Sequence, residues 1–108
     1  MESEKSIFGD YPEVESSAWD ISPGDLLKRQ YLEPLNMSAY RLAKATNLPQ
    51  TRIGDIINKN RAITAETALK FARFFGTTAQ FWMNIQTSYE LRLAEKKYAD
   101  DLELIERY

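Results

Sequence analysis

Ser38 to Asn58, SAYRLAKATNLPQTRIGDIIN, is the stretch on which the fold of this chain turns. Apolar or small residues recur at helical spacing on both sides of a polar break, which predicts two short helices joined by a tight turn. Ala39, Leu42 and Ala43 give the inner stripe of the first helix; Ile53, Ile56 and Ile57 give that of the second. Thr46-Asn47-Leu48-Pro49 lies between them. Asn tolerates a left-handed backbone better than most residues, and Pro49 suits the first position of a new helix. Helices crossing steeply need a small side chain where they touch, which Ala43 supplies, with the turn residue Asn47 four positions on and Ile53 six after that. This is the pattern of a helix-turn-helix.

In such a pair the second helix projects its first turns into the DNA major groove. Those turns carry Gln50, Thr51, Arg52 and Asp55, the candidates for base readout, with Asn58 further on. Gln can bond adenine through two atoms, Arg can bond guanine, and Thr can touch a thymine methyl. The plainer alternative is an αα-hairpin with a solvated polar face.

Charge bears on the choice between the two. The formal net charge is −2, which by itself does not suit a nucleic-acid binder. Residues 1–37 hold 3 basic and 8 acidic side chains, residues 38–73 hold 7 and 2, and residues 74–108 hold 4 and 6, giving −5, +5 and −2. The positive third contains the helix-turn-helix. Phosphate contacts need a local basic face rather than a basic protein, and Ser38, Arg41, Lys44, Asn58, Lys59 and Arg61 are the candidates for backbone contact.

At 108 residues the chain is long enough for one domain with a core and short for two. With no Cys and no His, disulfides, thiolate metal sites and the commonest general base are all absent. Carboxylate pairs such as Asp100-Asp101 lie in a charged helix with no Gly-rich loop, so an enzyme is the weakest expectation. No catalytic residue, metal, cofactor or small-molecule substrate is expected. No signal peptide and no apolar run of roughly 20 residues is present, so a soluble, cytoplasmic protein without membrane contact is expected.

Three regions follow: an acidic arm (1–21), a DNA-binding domain (22–93) and a C-terminal helical extension (94–108). The arm carries Glu2, Glu4, Asp10, Glu13, Glu15 and Asp20 against Lys5 alone, yet holds Ile7, Phe8, Tyr11, Val14 and Trp19. So many large apolar groups either fold back on the domain or meet a basic partner. Ser22-Pro23-Gly24-Asp25 opens the first helix, with Ser22 able to cap it, Pro23 fitting the first helical position and Asp25 able to complete a shortened version of the capping box. Leu26, Leu27, Tyr31 and Leu32 follow, and Pro34 ends it. Ser38 caps the next helix. Thr64 caps a helix over residues 65–75, whose apolar face is assigned to Ala68, Leu69, Ala72 and Phe75. Gly76 ends it and Thr78 starts another. Beyond, Phe81, Ile85 and Tyr89 form one line with Trp82 beside it, expected in the core. Leu91, Ala94, Tyr98, Leu102 and Ile105 form a second line, expected either as a subunit or partner seam or as a helix folded back over the domain.

From Ser22 to about Gln86 the sequence resembles the HigA (VapI-like) antitoxins of the XRE helix-turn-helix class. The resemblance runs through Ser22-Pro23-Gly24-Asp25, where that family tends to have His-Pro-Gly-Glu, and through Tyr31-Leu32-Glu33-Pro34-Leu35. It continues in Ala43, in Pro49-Gln50-Thr51-Arg52-Ile53, and in Ile63 to Leu69. Ala72 to Thr77 and Phe81 to Gln86 complete it. Gln50 stands where the family often has a basic residue, and Lys59-Asn60 replaces a Gly-Arg type turn; both bear on the DNA sequence recognised.

The resemblance implies an all-α, five-helix repressor-like domain with an N-terminal arm and a long C-terminal helical segment. It also implies a homodimer that binds operator DNA, represses its own operon, and neutralises a HigB-like toxin, a RelE-like mRNA-cleaving ribonuclease. Phe81, Trp82, Ile85, Tyr89, Tyr98 and Leu102 then become candidates for the dimer interface, and Ile7, Phe8, Tyr11 and Trp19 for toxin binding. An XRE regulator without a toxin partner, or an interaction protein whose helix-turn-helix no longer meets DNA, are the alternatives.

Overall fold

The computed structural model describes residues 21–108, and all regular structure among them is helical. α1 spans Pro23–Leu26 and continues as a π-helical turn over Leu27–Leu32. α2 is Ala39–Thr46, α3 is Gln50–Ile57, α4 is Ala65–Phe75, α5 is Ala79–Lys97 and α6 is Ala99–Glu103. Four hydroxyls start four of these helices. Ser22, Ser38, Thr64 and Thr78 accept from the amides of Asp25, Arg41, Thr67 and Phe81, at 3.1, 3.0, 3.4 and 3.0 Å. Each satisfies one of the amides a helix leaves open at its start.

The widening of α1 has a packing reason. Bonds spanning five residues, such as Glu33 N to Lys28 O at 2.9 Å, bring Leu27 and Leu32 towards one face, and both are buried. An ordinary α-helix would turn them well apart. The helix then ends before Pro34, and Asn36 takes a positive φ of 54° on the way to Ser38.

Trp82 is the centre of the core, fully buried, with its Nε1 donating to Thr77 Oγ1 at 2.8 Å. Tyr31 of α1, Phe71 of α4 and Phe81 of α5 each hold their ring centroids 5.2 Å from it. Tilted and edge-on pairs of this kind add about 0.5–1.5 kcal/mol each beyond their burial. Leu42, Ile53, Ile56 and Ile63 close the side towards the helix-turn-helix.

Two assignments from spacing are corrected here. The inner face of α4 carries Ala68 and Phe71, with Ala72 and Phe75 packed against the cluster, whereas Leu69 is 62% exposed. Residues 68, 71, 72 and 75 follow the three-four rhythm of a single face; residue 69 lies a third of a turn away. On α5, Trp82 and Gln86 are buried while Phe81, Ile85 and Tyr89 are only half-buried. The buried line is therefore the one beside the line chosen from the sequence.

The second apolar line is not folded back. Leu91, Tyr98, Leu102 and Ile105 are all exposed, and α5 continues unbroken through position 94 to Lys97. Among the described residues no helix is long and apolar enough to cross a membrane. Of the arm, only Ile21 belongs to the described residues; Ile7, Phe8, Tyr11 and Trp19 lie outside them.

Candidate nucleic-acid interface

α2 and α3 form the helix-turn-helix, and the turn is built as its residues require. Asn47 adopts φ 57°, ψ 46°, and the Leu48 amide donates back to the Ala43 carbonyl at 3.0 Å. That wrap closes the end of α2 and points the chain into α3. Thr46 is buried, with Oγ1 donating to the Leu42 carbonyl at 2.7 Å. Pro49 stands at the cap of α3, one residue earlier than expected, with no side chain capping the helix start. Its carbonyl accepts from Arg52 N at 3.0 Å.

α3 is held from behind by two contacts. At Gly24 a Cβ would overlap the Ile56 carbonyl, so α1 and α3 touch backbone to backbone and only glycine fits between them. Gln86 of α5, which lines the same small cavity as Gly24 and Ile56, is buried, and its Oε1 accepts from the Ile63 amide at 2.8 Å while its Nε2 donates to Glu90 Oε2 at 2.9 Å. The segment leaving α3 is thus pinned to α5.

With Ile53 and Ile56 turned inward, the opposite side of α3 is left to Gln50 and Thr51, both exposed, and further on to Asn58. Arg52 is turned sideways. Its Nη1 donates to Glu66 Oε1 at 3.2 Å, with 23% of the side chain exposed. Asp55 lies 3.9 Å from the Arg61 Nε. Gln50 and Thr51 are therefore presented freely, while Arg52 and Asp55 are presented in partnership.

The candidate phosphate contacts flank this face. Ser38 and Arg41 lie at the start of α2, the Ser38 hydroxyl accepting from the Arg41 amide. Lys44 places its Nζ 5.6 Å from the Tyr40 ring centroid. Lys59 pairs with Asp25 at 3.4 Å, and Arg61 completes the loop. Asp25 thus spends its carboxylate on the loop after α3, where a capping box had been expected. Lys59 itself has φ 67°, and the Asn60 amide returns to the Asp55 carbonyl at 2.8 Å. This is a left-handed helix end, a conformation that favours glycine.

Two residues of this surface escaped the sequence reading. Glu66, in the first turn of α4 where the helix dipole favours an acid, and Lys70 on the next turn were not among the expected contact residues. Lys70 Nζ lies 3.3 Å from Glu66 Oε2 and donates to the Asn47 carbonyl at 3.1 Å. The hydrogen bonds from Arg52 and then Lys70 hold the Glu66 carboxyl below its ordinary value. Their i, i+4 spacing on α4 was the available signal for the Glu66–Lys70 pair; the reach to α3 was visible only in three dimensions.

Of the candidate dimer residues, Trp82 is removed, because a fully buried side chain has no surface to offer a partner. Phe81, Ile85 and Tyr89 remain half-buried and Tyr98 and Leu102 exposed. Among the described residues no group of His, Cys, Asp and Glu could hold a metal ion.

Comparison with known proteins places the fold. The family described as Helix-turn-helix matches residues 28–82. Virulence-associated protein I of Dichelobacter nodosus is 47% identical over 76 residues, covering 70% of either chain. Antitoxin HigA-1 of Vibrio cholerae is 31% identical over 85 residues, 79% of this chain and 80% of that one. The Pseudomonas aeruginosa antitoxin HigA, solved with the higBA promoter, superposes with a TM-score of 0.77 at 34% identity over 81% of this chain and 96% of its own. Other relatives are described only as HTH-type transcriptional regulators. The chain belongs to the XRE-type helix-turn-helix family, in the group of the HigA antitoxins.

Proposed function

We propose that this protein is the antitoxin and autorepressor of a toxin-antitoxin operon. A homodimer sets two copies of α3 into successive major grooves of an operator, about 34 Å apart. Gln50, Thr51 and Arg52, with Asp55, read base edges; Ser38, Arg41, Lys44, Asn58, Lys59 and Arg61 contact phosphates. A surface away from α3 occludes a HigB-like, mRNA-cleaving ribonuclease. The observation that carries the DNA half is the exposed polar face of α3 in the only positively charged third of the chain, on a fold whose P. aeruginosa counterpart was solved with a promoter.

The dimer is assigned to the apolar surface of α5 and α6. Phe81, Ile85 and Tyr89 lie on α5, Leu102 on α6 and Tyr98 at the junction between them, and the exposed ones form an uncovered apolar seam of the kind that marks an interface. The toxin contact is assigned to the acidic arm. An RNA-cleaving toxin needs a basic surface to hold its substrate, and the arm offers acidic charge with apolar anchors at Ile7, Phe8, Tyr11 and Trp19.

A second reading, an XRE regulator with no toxin, is favoured by the relatives described as transcriptional regulators. Mobility shift on the fragment upstream of the gene, with and without the product of the neighbouring reading frame, separates the two. An antitoxin shifts the fragment alone, co-purifies with the neighbour and abolishes its ribonuclease activity. A plain regulator shifts the fragment and ignores the neighbour. Deletion of residues 1–21 is expected to release the toxin while leaving operator binding intact.

A further inference from the structure

Arg52 occupies the first turn of α3, where a side chain free to extend would meet DNA. Instead its guanidinium is tied to Glu66 of α4 at 3.2 Å. Glu66 is tied in turn to Lys70, which reaches the carbonyl of Asn47 in the helix-turn-helix turn. Side chains thus link the recognition helix, α4 and the turn in one chain of bonds.

Surface ion pairs contribute little to stability, and Glu66 is 58% exposed. Its placement is a liability if stability is its only role. A carboxylate beside a surface meant for phosphates opposes binding to any DNA. The Glu66 carboxyl is also held in its charged form by these hydrogen bonds.

A guanidinium has two edges with donors in a fixed plane. Spending Nη1 on Glu66 leaves the rest of the fork pointing in one direction, with fewer rotamers to freeze on binding. Arg52, Glu66 and Lys70 together carry a single positive charge, so the cluster gains less from a phosphate than two free cations would. What remains is a directional hydrogen bond that only a correctly placed acceptor can take. An unpaired Arg52 would reach for phosphates of any sequence.

We propose that Glu66 is a positioning residue for sequence reading: by holding one edge of Arg52 it turns a non-specific cation into a directional base contact. This role rests on α3 being the DNA-reading helix.

The test compares the full-length protein with Glu66→Ala and Glu66→Gln, each alone and with Arg52→Ala, on the upstream fragment and on a scrambled duplex of the same length. The glutamine keeps an oxygen to accept from Arg52 but loses the charge. Glu66→Ala is expected to lower the ratio of specific to scrambled affinity by about tenfold, within the range a good base contact supplies, mainly by tightening the scrambled duplex. Glu66→Gln is expected to retain most of the ratio, within about threefold of wild type. In the Arg52→Ala background both substitutions should leave the ratio unchanged. The proposal is overturned if alanine and glutamine tighten both duplexes equally, which would be a charge effect alone. It is equally overturned if the ratio falls as far without Arg52. Failure of the wild-type protein to tell the two duplexes apart would instead strike at operator binding itself.

Discussion

Gln86 shows how much of the helix-turn-helix depends on a residue that never meets DNA. Its side chain is buried and gives the Ile63 amide its hydrogen bond. Gln86→Leu would fill similar space but leave that amide without a partner, at a cost of about 1–3 kcal/mol; chemical denaturation should show the loss with an unchanged slope. Arg52 tests the opposite case. Arg52→Ala is expected to cost roughly 1–3 kcal/mol of operator affinity and to relax sequence preference, with little change in stability. Equal losses on specific and scrambled DNA would contradict its base-reading role. Single residues were also where the sequence misled. Leu69 and Phe71 are both apolar neighbours on one helix, and only the direction of the core decides that Phe71 is buried and Leu69 exposed. Trp82 was read as a companion to the Phe81 line, yet it is the residue around which α1, α4 and α5 pack.

Helix boundaries were far more legible, because their signals are local. Ser22, Ser38, Thr64 and Thr78 each cap the helix that was expected to follow, and Asn47 takes the left-handed turn its side chain tolerates. What could not be read locally is how the elements meet. The close approach of α1 to α3 at Gly24 is set by the backbone of Ile56, thirty-two positions along the chain. Gly24→Ala must push the two helices apart and is expected to destabilise the fold by about 3 kcal/mol, the upper range for overpacking. A thermal melt would show it, and operator binding should weaken with it as α3 loses its support. An unchanged melting temperature would contradict the contact. The tie between α3 and α4 is sensitive to acid. The Glu66 carboxyl titrates lower in the folded chain than its ordinary value because Arg52 and Lys70 bond its charged form. Its contribution is therefore complete above about pH 4.3, the value for an unperturbed Glu, and is lost as the pH falls through the lower folded value. The difference in melting temperature between wild type and Glu66→Ala should be constant from neutral pH down to about pH 5 and shrink only below about pH 4.

Charge and exposed apolar groups are unevenly divided along the chain. The positively charged third contains α3, and a seam of exposed apolar side chains, Leu91, Tyr98, Leu102 and Ile105, runs from α5 through α6 to the residues just after it. If that seam joins two copies, sedimentation should report a dimer, and Tyr98→Glu with Leu102→Glu should yield a folded monomer with sharply weaker operator binding; a persistent dimer would move the interface elsewhere. The division of charge along the chain made the first surface legible from sequence. The seam was legible as a line of residues, though whether the helix folded back or stood clear was decided only by packing. The most direct measurement is hydroxyl-radical footprinting of the full-length protein on the fragment upstream of its gene. Two protected half-sites with centres about 34 Å apart, on one face of the duplex, are predicted for a dimer reading successive major grooves. Uniform protection without phasing, or equal protection of a scrambled fragment, would contradict it.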